Sequence, residues 1–334
     1  MASQHSFAGS VRSARNMRCW VFFHRELTDD QPEVWEIRRF QQVATEMGIV
    51  LEVLKPRKFD LIVDPHKGWS ATYEGRELTR PDFIMSRIGS ETSYFTLAVL
   101  RHFEHLGVTM MNSPTAIEKV ADKLHTSQIL SASGLPTPRT ILGKFPVDIE
   151  VVAREIGFPV VVKRLTGTRG EGVLLCDSRE QFADLAALLD GGDANANFIF
   201  QEFIKESHGR DLRVLVIMGR AVAAMERQAA NGNFKSNISL GGRALPYKLH
   251  ADVAHLAENA ADAVGLDVAG VDILFAGDDY RICEVNSAPG FQGLEAATQI
   301  NVPRLIFSSM QRRRRRLFPS WARRMGRLLR KADF

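Results

Sequence analysis

The sequence predicts a small α/β domain followed by a larger α+β region. Short apolar strands alternate with amphipathic helices in the first hundred residues, whereas strands separated by turns dominate the rest. Alternating strands and helices favour a parallel sheet, and strands that follow one another favour antiparallel pairing. The composition is that of a globular chain, with 45% apolar and 25% charged residues. A length of 334 residues suits two or three domains.

The α/β domain is predicted over residues 17–112. Its strands are expected at 19–23, 49–54, 83–85 and 108–111, and its helices at 34–47 and 93–106. The preceding residues 1–16 are rich in Ser and contain two Arg but no acid. We interpret them as a flexible leader, with an organelle-targeting peptide as the alternative.

The α+β region begins with two helices, at 113–120 and 122–133, and the first of them starts with a Ser-Pro cap. The strands expected after them are 158–163, 173–176, 198–204, 211–217, 221–227, 268–275 and 280–286, with helices at 178–189 and 251–264. This succession predicts mostly antiparallel pairing.

Hydrolase, dehydrogenase and zinc chemistry are unsupported, because the sequence lacks their motifs. It has no phosphate loop ending in Gly-Lys-Ser/Thr, no dinucleotide fingerprint, no nucleophile elbow, and no metal-binding pair among its nine His. The three Cys are not spaced as in a zinc site, so we expect reduced thiols and a cytoplasmic protein. The longest apolar runs are strand-sized and too short for a membrane-spanning helix.

A lysine and a glycine-rich loop form the first candidate site. Lys163 ends the apolar strand and is followed by residues 166–172, which include Gly167, Gly170 and Gly172. Glycines let a backbone approach phosphate closely, and a nearby lysine supplies a point charge. A glycine-rich hairpin without a ligand is an equal alternative.

Three oxygen-bearing side chains form the second candidate site. Glu284 and Asn286 project from the same face of one predicted strand, and Asp272 lies on the strand before it. Two carboxylates and an amide oxygen suit Mg²⁺. Because the flanking residues are apolar, a merely solvent-facing polar edge is the weaker interpretation.

A third group consists of anion-binding side chains in a glycine-punctuated segment: Arg210, Arg213, Arg227, Lys235, Ser236, Asn237 and Arg243. Such groups bind phosphate or carboxylate oxygens. A solvated basic loop is the alternative. Upstream, the strand through Gln201 and Glu202 ends with polar groups suited to a purine and a ribose, although this signal is weak by itself.

The C-terminal residues 311–334 form a basic tail. They contain ten of the 43 Lys and Arg but only one of the 39 Asp and Glu, so the chain's net charge of +4 comes from the tail. The tail includes a run of five arginines and an amphipathic pattern around Trp321. It predicts either a solvated appendage or a contact with RNA or an anionic membrane.

With these candidate sites in this order along the chain, residues 17–310 closely resemble the ATP-grasp superfamily and, within it, the RimK-like glutamate ligases. The resemblance is most specific over residues 205–211, 234–237, 241–242, 267–272 and 284–290, and residues 86–89 and 100–104 also fit. It implies an N-terminal α/β domain (17–112), a central lobe (113–190) and a C-terminal lobe (191–310) that clasp ATP.

The resemblance also implies roles for individual residues. Lys235 stands where many relatives have Arg, so it keeps the charge but loses a bidentate contact. The ATP-binding residues implied are Lys123, Lys163, Gly170, Gly172, Glu202, Phe203, Ile204 and Asp211. The ligands implied for two Mg²⁺ (or Mn²⁺) ions are Asp272, Glu284 and Asn286. The residues implied in catalysis and substrate binding are Arg87, Arg227, Lys235, Ser236 and Asn237.

The activity implied is ATP-dependent formation of an amide or peptide bond through an acyl phosphate, with glutamate as the amine. The acceptor carboxylate is either a protein C-terminus or a small acid. The alternatives are a ligase for another amino acid, a nucleotide-binding pseudoenzyme, and a polyanion-binding protein driven by the tail. A homo-oligomer is compatible with all of these interpretations.

Overall fold

A computed structural model describes residues 16–28, 31–165, 172–189, 196–230, 232–236 and 241–314. The leader through residue 15, Gly170, Asn237 and the tail from residue 315 lie outside this range. Within it, fifteen strands and eight helices have the bounds given below, and residues 302–314 are also helical.

The N-terminal domain is built on a four-stranded parallel sheet with the order β2-β1-β5-β6. A separate antiparallel hairpin, β3-β4, packs beside it. The elements are β1 (Arg18–Phe22), α1 (Pro32–Glu46), β2 (Val50–Leu54), β3 (Phe59–Asp64), β4 (Gly68–Tyr73), β5 (Phe83–Ser86), α2 (Tyr94–His105) and β6 (Thr109–Met111). The first strand is buried in an apolar core on both faces, as expected for a parallel sheet covered by helices.

The central region carries a four-stranded antiparallel sheet with the order β7-β10-β8-β9. Its elements are α3 (Pro114–Ala121), α4 (Lys123–Ala132), β7 (Thr140–Gly143), α5 (Ile149–Glu155), β8 (Val160–Arg164), β9 (Val173–Cys176), α6 (Arg179–Leu189) and β10 (Phe198–Glu202). A small core around Phe182 and Phe200 holds the sheet against α5 and α6.

The C-terminal region carries a five-stranded antiparallel sheet with the order β13-β12-β11-β14-β15. Its elements are β11 (Arg210–Ile217), β12 (Arg220–Gln228), β13 (Arg243–Tyr247), α7 (Ala251–Val264), β14 (Val268–Ala276), β15 (Asp279–Asn286) and α8 (Gln292–Thr298). One face packs on α7 and the other on the N-terminal domain, so both faces of its central strands are buried.

Asn112 joins the N-terminal domain to the C-terminal sheet. Its side chain donates to the backbone oxygens of Val268 (2.8 Å) and Ser287 (2.7 Å) and accepts from the Val268 amide (2.8 Å). A positive φ of 65° at Asn112 turns the chain into this position, which asparagine tolerates better than most residues. The junction sets the N-terminal sheet against the strands that carry the candidate metal ligands.

The helix over residues 302–314 includes the first four residues of the basic tail. Arg313 pairs with Asp267 (2.7 Å) and Arg314 with Asp82 (3.4 Å), so these two arginines are docked on the domain surfaces. None of the described helices combines the length and apolar character that a membrane crossing requires.

The predicted fold class is confirmed, with a parallel N-terminal sheet and antiparallel sheets after it. All the predicted strands and helices are present, most of them within one or two residues of their expected ends. The sequence analysis did not predict β3, β4, β7, α5, β13, α8 or the helix over residues 302–314.

Candidate active site

A cavity of about 680 Å³ lies where the N-terminal, central and C-terminal regions meet. The central region contributes Lys123, Lys163 and the segment 201–204, whereas the C-terminal sheet contributes side chains of β11, β12, β14 and β15. The loops after β1 and β5 close the third side. Most of the described residues that the sequence singled out therefore face one space.

Lys163 occupies the wall formed by the central sheet. Its ammonium donates to Gln201 Oε1 (2.6 Å) and lies 3.8 Å from Cys283 Sγ. Gln201 in turn donates to Thr140 Oγ1 (3.0 Å), which fixes the amide so that its oxygen faces the lysine. Burial raises the pKa of the Cys283 thiol, so it remains protonated and does not neutralise the lysine. The lysine ammonium is thereby held at the cavity wall.

The residues proposed for the adenine and ribose occupy the end of β10. Phe203 and Ile204 line the cavity, and Glu202 accepts a hydrogen bond from the Arg139 amide (3.1 Å). Lys123 faces the same space from the first turn of α4, where Asp122 caps the helix. Gly172 is the one predicted loop glycine in the described range, and its φ of 66° suits glycine.

Asp272, Glu284 and Asn286 come together on adjacent strands and line the cavity. Asp272 lies opposite Glu284, Gly270 lies opposite Asn286, and a register shift follows Asp272. Glu284 is half-buried, and its carboxylate makes no hydrogen bond or ion pair with the described residues. The Asn286 amide donates weakly to Gly270 O (3.4 Å), which leaves its own oxygen available. This donor set fits a magnesium ion.

A network of ion pairs and hydrogen bonds adjoins these candidate metal ligands. Arg227 donates to both oxygens of Asp211 (2.7 and 2.6 Å) and also lies 2.9 Å from Asp272 Oδ2. Ser236 Oγ donates to Asp211 Oδ2 (2.8 Å), and Arg213 holds Asp272 with two further bonds. All of these side chains face the cavity.

Burial and charge act in opposite directions within this network. Desolvation alone would raise the pKa of Asp272, but Arg213 and Arg227 outweigh it and hold the pKa below the usual range. Desolvation would likewise lower the pKa of Arg227, yet Asp272 and Asp211 raise it. Both partners are therefore charged at neutral pH, and the site retains fixed charges where it is shielded from water.

Arg87 has a different environment from the one expected of a substrate-binding arginine. Its Nη2 donates to Glu36 Oε2 (2.6 Å) and to the Pro289 carbonyl (2.8 Å). The guanidinium lies between the rings of Phe40 and Phe291, at 5.8 and 5.7 Å from their centroids. Although it borders the cavity, Arg87 is 7% exposed and fastens the N-terminal domain to the loop after β15.

Two relations were not visible in the sequence. Asp211, expected at the ribose, binds Arg227 and Ser236, and Arg213 supports Asp272. Hairpin spacing could have indicated the first relation, because Asp211 lies directly opposite Arg227 on β11 and β12, which follow one another in the chain. Lys235 and Ser236 line the cavity, whereas Asn237 and Gly170 lie outside the described residues.

Comparison with known proteins gives two matching domain families. Residues 27–117 match the RimK PreATP-grasp domain, and residues 120–310 match the RimK-like ATP-grasp domain. A protein of Thioalkalivibrio sulfidiphilus named probable alpha-L-glutamate ligase is 38% identical over 284 residues, which are 85% of this chain and 93% of that protein. The protein of the same name from Aeromonas salmonicida is 38% identical over 282 residues, 84% of this chain and 94% of that protein.

Solved structures show the same fold. The ATP-grasp ligase PsnB in complex with a minimal precursor aligns with a TM-score of 0.67 at 20% identity, over 88% of this chain and 98% of that one. A D-alanine–D-alanine ligase from Bacillus anthracis aligns with a TM-score of 0.63 at 16% identity, over 90% and 99% of the two chains. The arrangement of a parallel sheet and two antiparallel sheets around one cavity is thus the ATP-grasp fold.

Proposed function

Because the chain belongs to the RimK-like ATP-grasp family of ligases, which form carbon–nitrogen bonds with ATP, we propose that it joins glutamate to an acceptor carboxylate. The observation that carries this proposal is one cavity lined by Glu284 and Asn286, whose side-chain oxygens have no partner among the described residues, and by Lys123, Lys163, Arg213 and Arg227. Phosphoryl transfer needs such charge neutralisation and positioning rather than a protein nucleophile.

The nucleotide is proposed to lie between the central and C-terminal sheets. Phe203 and Ile204 would cover the adenine, and Glu202 would bind the ribose. Lys123 and Lys163 would hold the phosphates, because both are lysines that line the cavity. The glycines at 170 and 172 belong to the segment proposed to cover the phosphates.

Asp272, Glu284 and Asn286 are proposed to hold two Mg²⁺ ions, with Mn²⁺ as a substitute. When bound, the metal neutralises the charge that develops on the transferred phosphoryl group. Arg213 and Arg227 occupy three of the roughly four lone-pair positions of Asp272, so its Oδ1 retains one for the metal.

Arg227, Lys235 and Asn237 are proposed to stabilise the acyl phosphate. The acceptor carboxylate attacks the γ-phosphorus of ATP, and the bond to the bridging oxygen breaks to release ADP. The amine then attacks the acyl carbon, phosphate leaves, and the amine proton passes to solvent. Arg227 keeps its charge throughout, because Asp211 and Asp272 raise its pKa. Ser236 would position the network through Asp211.

The acceptor is proposed to be either a protein C-terminus or a small acid. The domain limits proposed are 17–112, 113–190 and 191–310, with the tail from 311 as an appendage that contacts polyanions weakly.

The decisive experiment is a coupled assay with ATP and magnesium that screens glutamate and other amino acids against carboxylates and peptides. The correct pair should release one ADP and one phosphate for each amide, as measured by phosphate detection and mass spectrometry. ATP hydrolysis without an amide product for every pair would contradict the proposal. RNA or vesicle binding without ligase turnover would favour a polyanion-binding protein instead.

A further inference from the structure

The loops after β1 and β5 meet where the strand order of the N-terminal sheet reverses. The sheet order is β2-β1-β5-β6, so the chain leaves β1 toward one edge and leaves β5 toward the other. A crevice outside the carboxyl ends of two such strands is a general binding position in open parallel sheets. Here the crevice opens into the 680 Å³ cavity, because residues 23–25 and 87–89 line it.

Three ionisable side chains form a cluster in this crevice: His24, Arg25 and Glu91, called the loop cluster below. The His24 imidazole pairs with Glu91 Oε2, and Arg25 Nη2 lies 2.9 Å from Glu91 Oε1. The two basic residues are thus held side by side on one carboxylate. All three side chains keep between 28% and 41% of their surface exposed, so the cluster remains within reach of a bound molecule.

The loop cluster is an incomplete hydrogen-bond network. His24 Nδ1 and Arg25 Nε are shielded from water and have no partner among the described residues. Polar atoms in such positions normally have a partner, so the described residues alone do not complete the cluster. By contrast, the Arg87–Glu36 pair behind it is complete, since Arg87 binds Pro289 O and Glu36 accepts from the Phe291 amide. The inner pair is structural, whereas the outer cluster keeps partly exposed side chains that line the cavity.

The charge of the crevice indicates what that ligand is. Arg25 and His24 present donors, while Glu33 borders the same cavity and Glu91 already shares its charge with both donors. A mixed set of this kind suits a zwitterion, because a polyphosphate requires an excess of cations. Arg213 and Arg227 lie instead on the C-terminal sheet, where the acceptor carboxylate and the phosphates are proposed to react.

We propose that the loop cluster binds the α-carboxylate of the amino-acid substrate, with Arg25 as the main donor and His24 as the second. This assignment rests on the proposed function, since it supplies the second reactant of that reaction. The amine would thereby approach the acyl phosphate from the N-terminal domain, across the cavity from Arg227. Nothing in the reaction requires the loop cluster to exchange a proton or form a bond.

The test measures the KM of L-glutamate and of ATP in the purified full-length chain, with the acceptor found by screening. Arg25→Ala and His24→Gln should raise the KM of L-glutamate by roughly tenfold and threefold, about 1.4 and 0.7 kcal/mol, with the KM of ATP changed less than twofold. Arg57→Ala removes an exposed arginine of the same domain that does not line the cavity, and it should change neither constant.

A second measurement needs no variant. The unmodified chain should use L-glutamate at least about tenfold better than its α-carboxamide, because the amide lacks the charge that Arg25 binds. In Arg25→Ala the ratio between the use of L-glutamate and the use of its α-carboxamide should fall toward one. Equal use of the two compounds by the unmodified chain would overturn the proposal, even if Arg25→Ala folds poorly. A higher KM for the acceptor instead of for glutamate would also overturn it. An unmodified chain that forms no glutamyl amide would instead refute the proposed function.

Discussion

Arg213 holds Asp272 through both carboxylate oxygens, with its Nε and Nη2 each 2.8 Å from one of them. The two residues lie directly opposite each other on β11 and β14, so the strand pairing itself sets this contact. Asp272 is thereby fixed before any ligand binds. Glu284, which has no such partner among the described residues, is the carboxylate whose charge is left for a metal.

Glu284→Gln should lower kcat/KM by roughly 100-fold or more, which corresponds to about 2.7 kcal/mol. The substitution removes a negative charge at nearly constant volume, and it breaks no hydrogen bond among the described residues. The melting temperature should therefore change little. Coupled assays over a magnesium titration measure the effect, with exposed Glu77→Gln as the matched control. Full turnover of Glu284→Gln at ordinary magnesium concentration would refute its role as a metal ligand.

Lys163→Ala should raise the KM of ATP about tenfold and also slow turnover, because a cation is removed from the phosphates. About 1.4 kcal/mol of binding free energy corresponds to that factor. Lys144→Ala, an exposed lysine that does not line the cavity, is the control. If ATP binding and turnover were unchanged, Lys163 would be only the partner of Gln201 at the end of a strand.

Arg227→Ala should lower both stability and turnover. It leaves Asp211 without its arginine and removes one of the two arginines of Asp272, and both carboxylates are at most 7% exposed. Breaking a buried pair from one side costs about 3–5 kcal/mol, which urea unfolding would measure. Among molecules that remain folded, turnover of the carboxylate should fall more than ATP affinity.

Arg220→Ala is the matched control for Arg227, because Arg220 is an exposed arginine at the start of the same strand. It should leave stability and turnover near those of the unmodified chain. If ATP affinity in Arg227→Ala fell as much as carboxylate turnover, Arg227 would be assigned to binding the nucleotide and not to stabilising the acyl phosphate.

The order of the strands and helices was predictable because apolar periodicity is a local property. The range of α7 was predicted to the residue, since an amphipathic pattern ends there at Gly265. The hairpin β3-β4 and strand β13 were missed because they are partly exposed, so their apolar pattern is weak. The turn after Asp64, which caps two amides, was the signal available for the hairpin.

The candidate site was predictable as a set of residue types but not as a set of contacts. Arg227 and Asp211 are 16 residues apart and meet only through the β11–β12 pairing. Arg87 and Pro289 are 202 residues apart and meet only when the N-terminal domain packs on the C-terminal sheet. Sequence spacing carries no information about a pair as distant as the second, so the contacts of Arg87 could not be predicted from the sequence.

Glu36 gives a pH-dependent prediction. Burial raises its pKa above the ordinary 4.5, and Arg87 and the Phe291 amide only partly oppose this. A raised pKa in the folded state means that its stabilising contribution is complete below pH 4.5 and declines as the pH rises through the folded pKa. Glu36→Gln mimics the protonated form. Relative to this variant, the unmodified chain should lose stability as the pH rises from 4.5 through the folded-state pKa, and the stability difference should then become constant.

Urea unfolding of both proteins between about pH 4 and pH 8 would measure this difference. The exposed Glu77→Gln serves as the control for loss of a surface carboxylate. A stability difference that grows in favour of the unmodified chain with rising pH would mean that the attraction of Arg87 outweighs desolvation at Glu36.

The basic tail gives a prediction based on two truncations. Seven of its ten cations lie in residues 315–334, whereas Arg313 and Arg314 are docked on Asp267 and Asp82. A chain ending at residue 314 should therefore keep full ligase turnover and an unchanged melting temperature. A chain ending at residue 310 should lose up to about 1 kcal/mol of stability, because partly exposed ion pairs contribute little.

Truncation of the tail should change polyanion binding without changing ligase turnover or the melting temperature. The full-length chain should bind RNA or anionic vesicles weakly, with an affinity that falls steeply as salt rises, because each cation that contacts a phosphate releases counterions. The chain ending at 314 should lose this binding while turnover is retained. Equal binding of the two chains at low salt, measured by fluorescence anisotropy or vesicle sedimentation, would reject recruitment by the tail. Since the cavity and its charged network lie wholly within the domains, the tail would affect where the enzyme acts and not which substrates it joins.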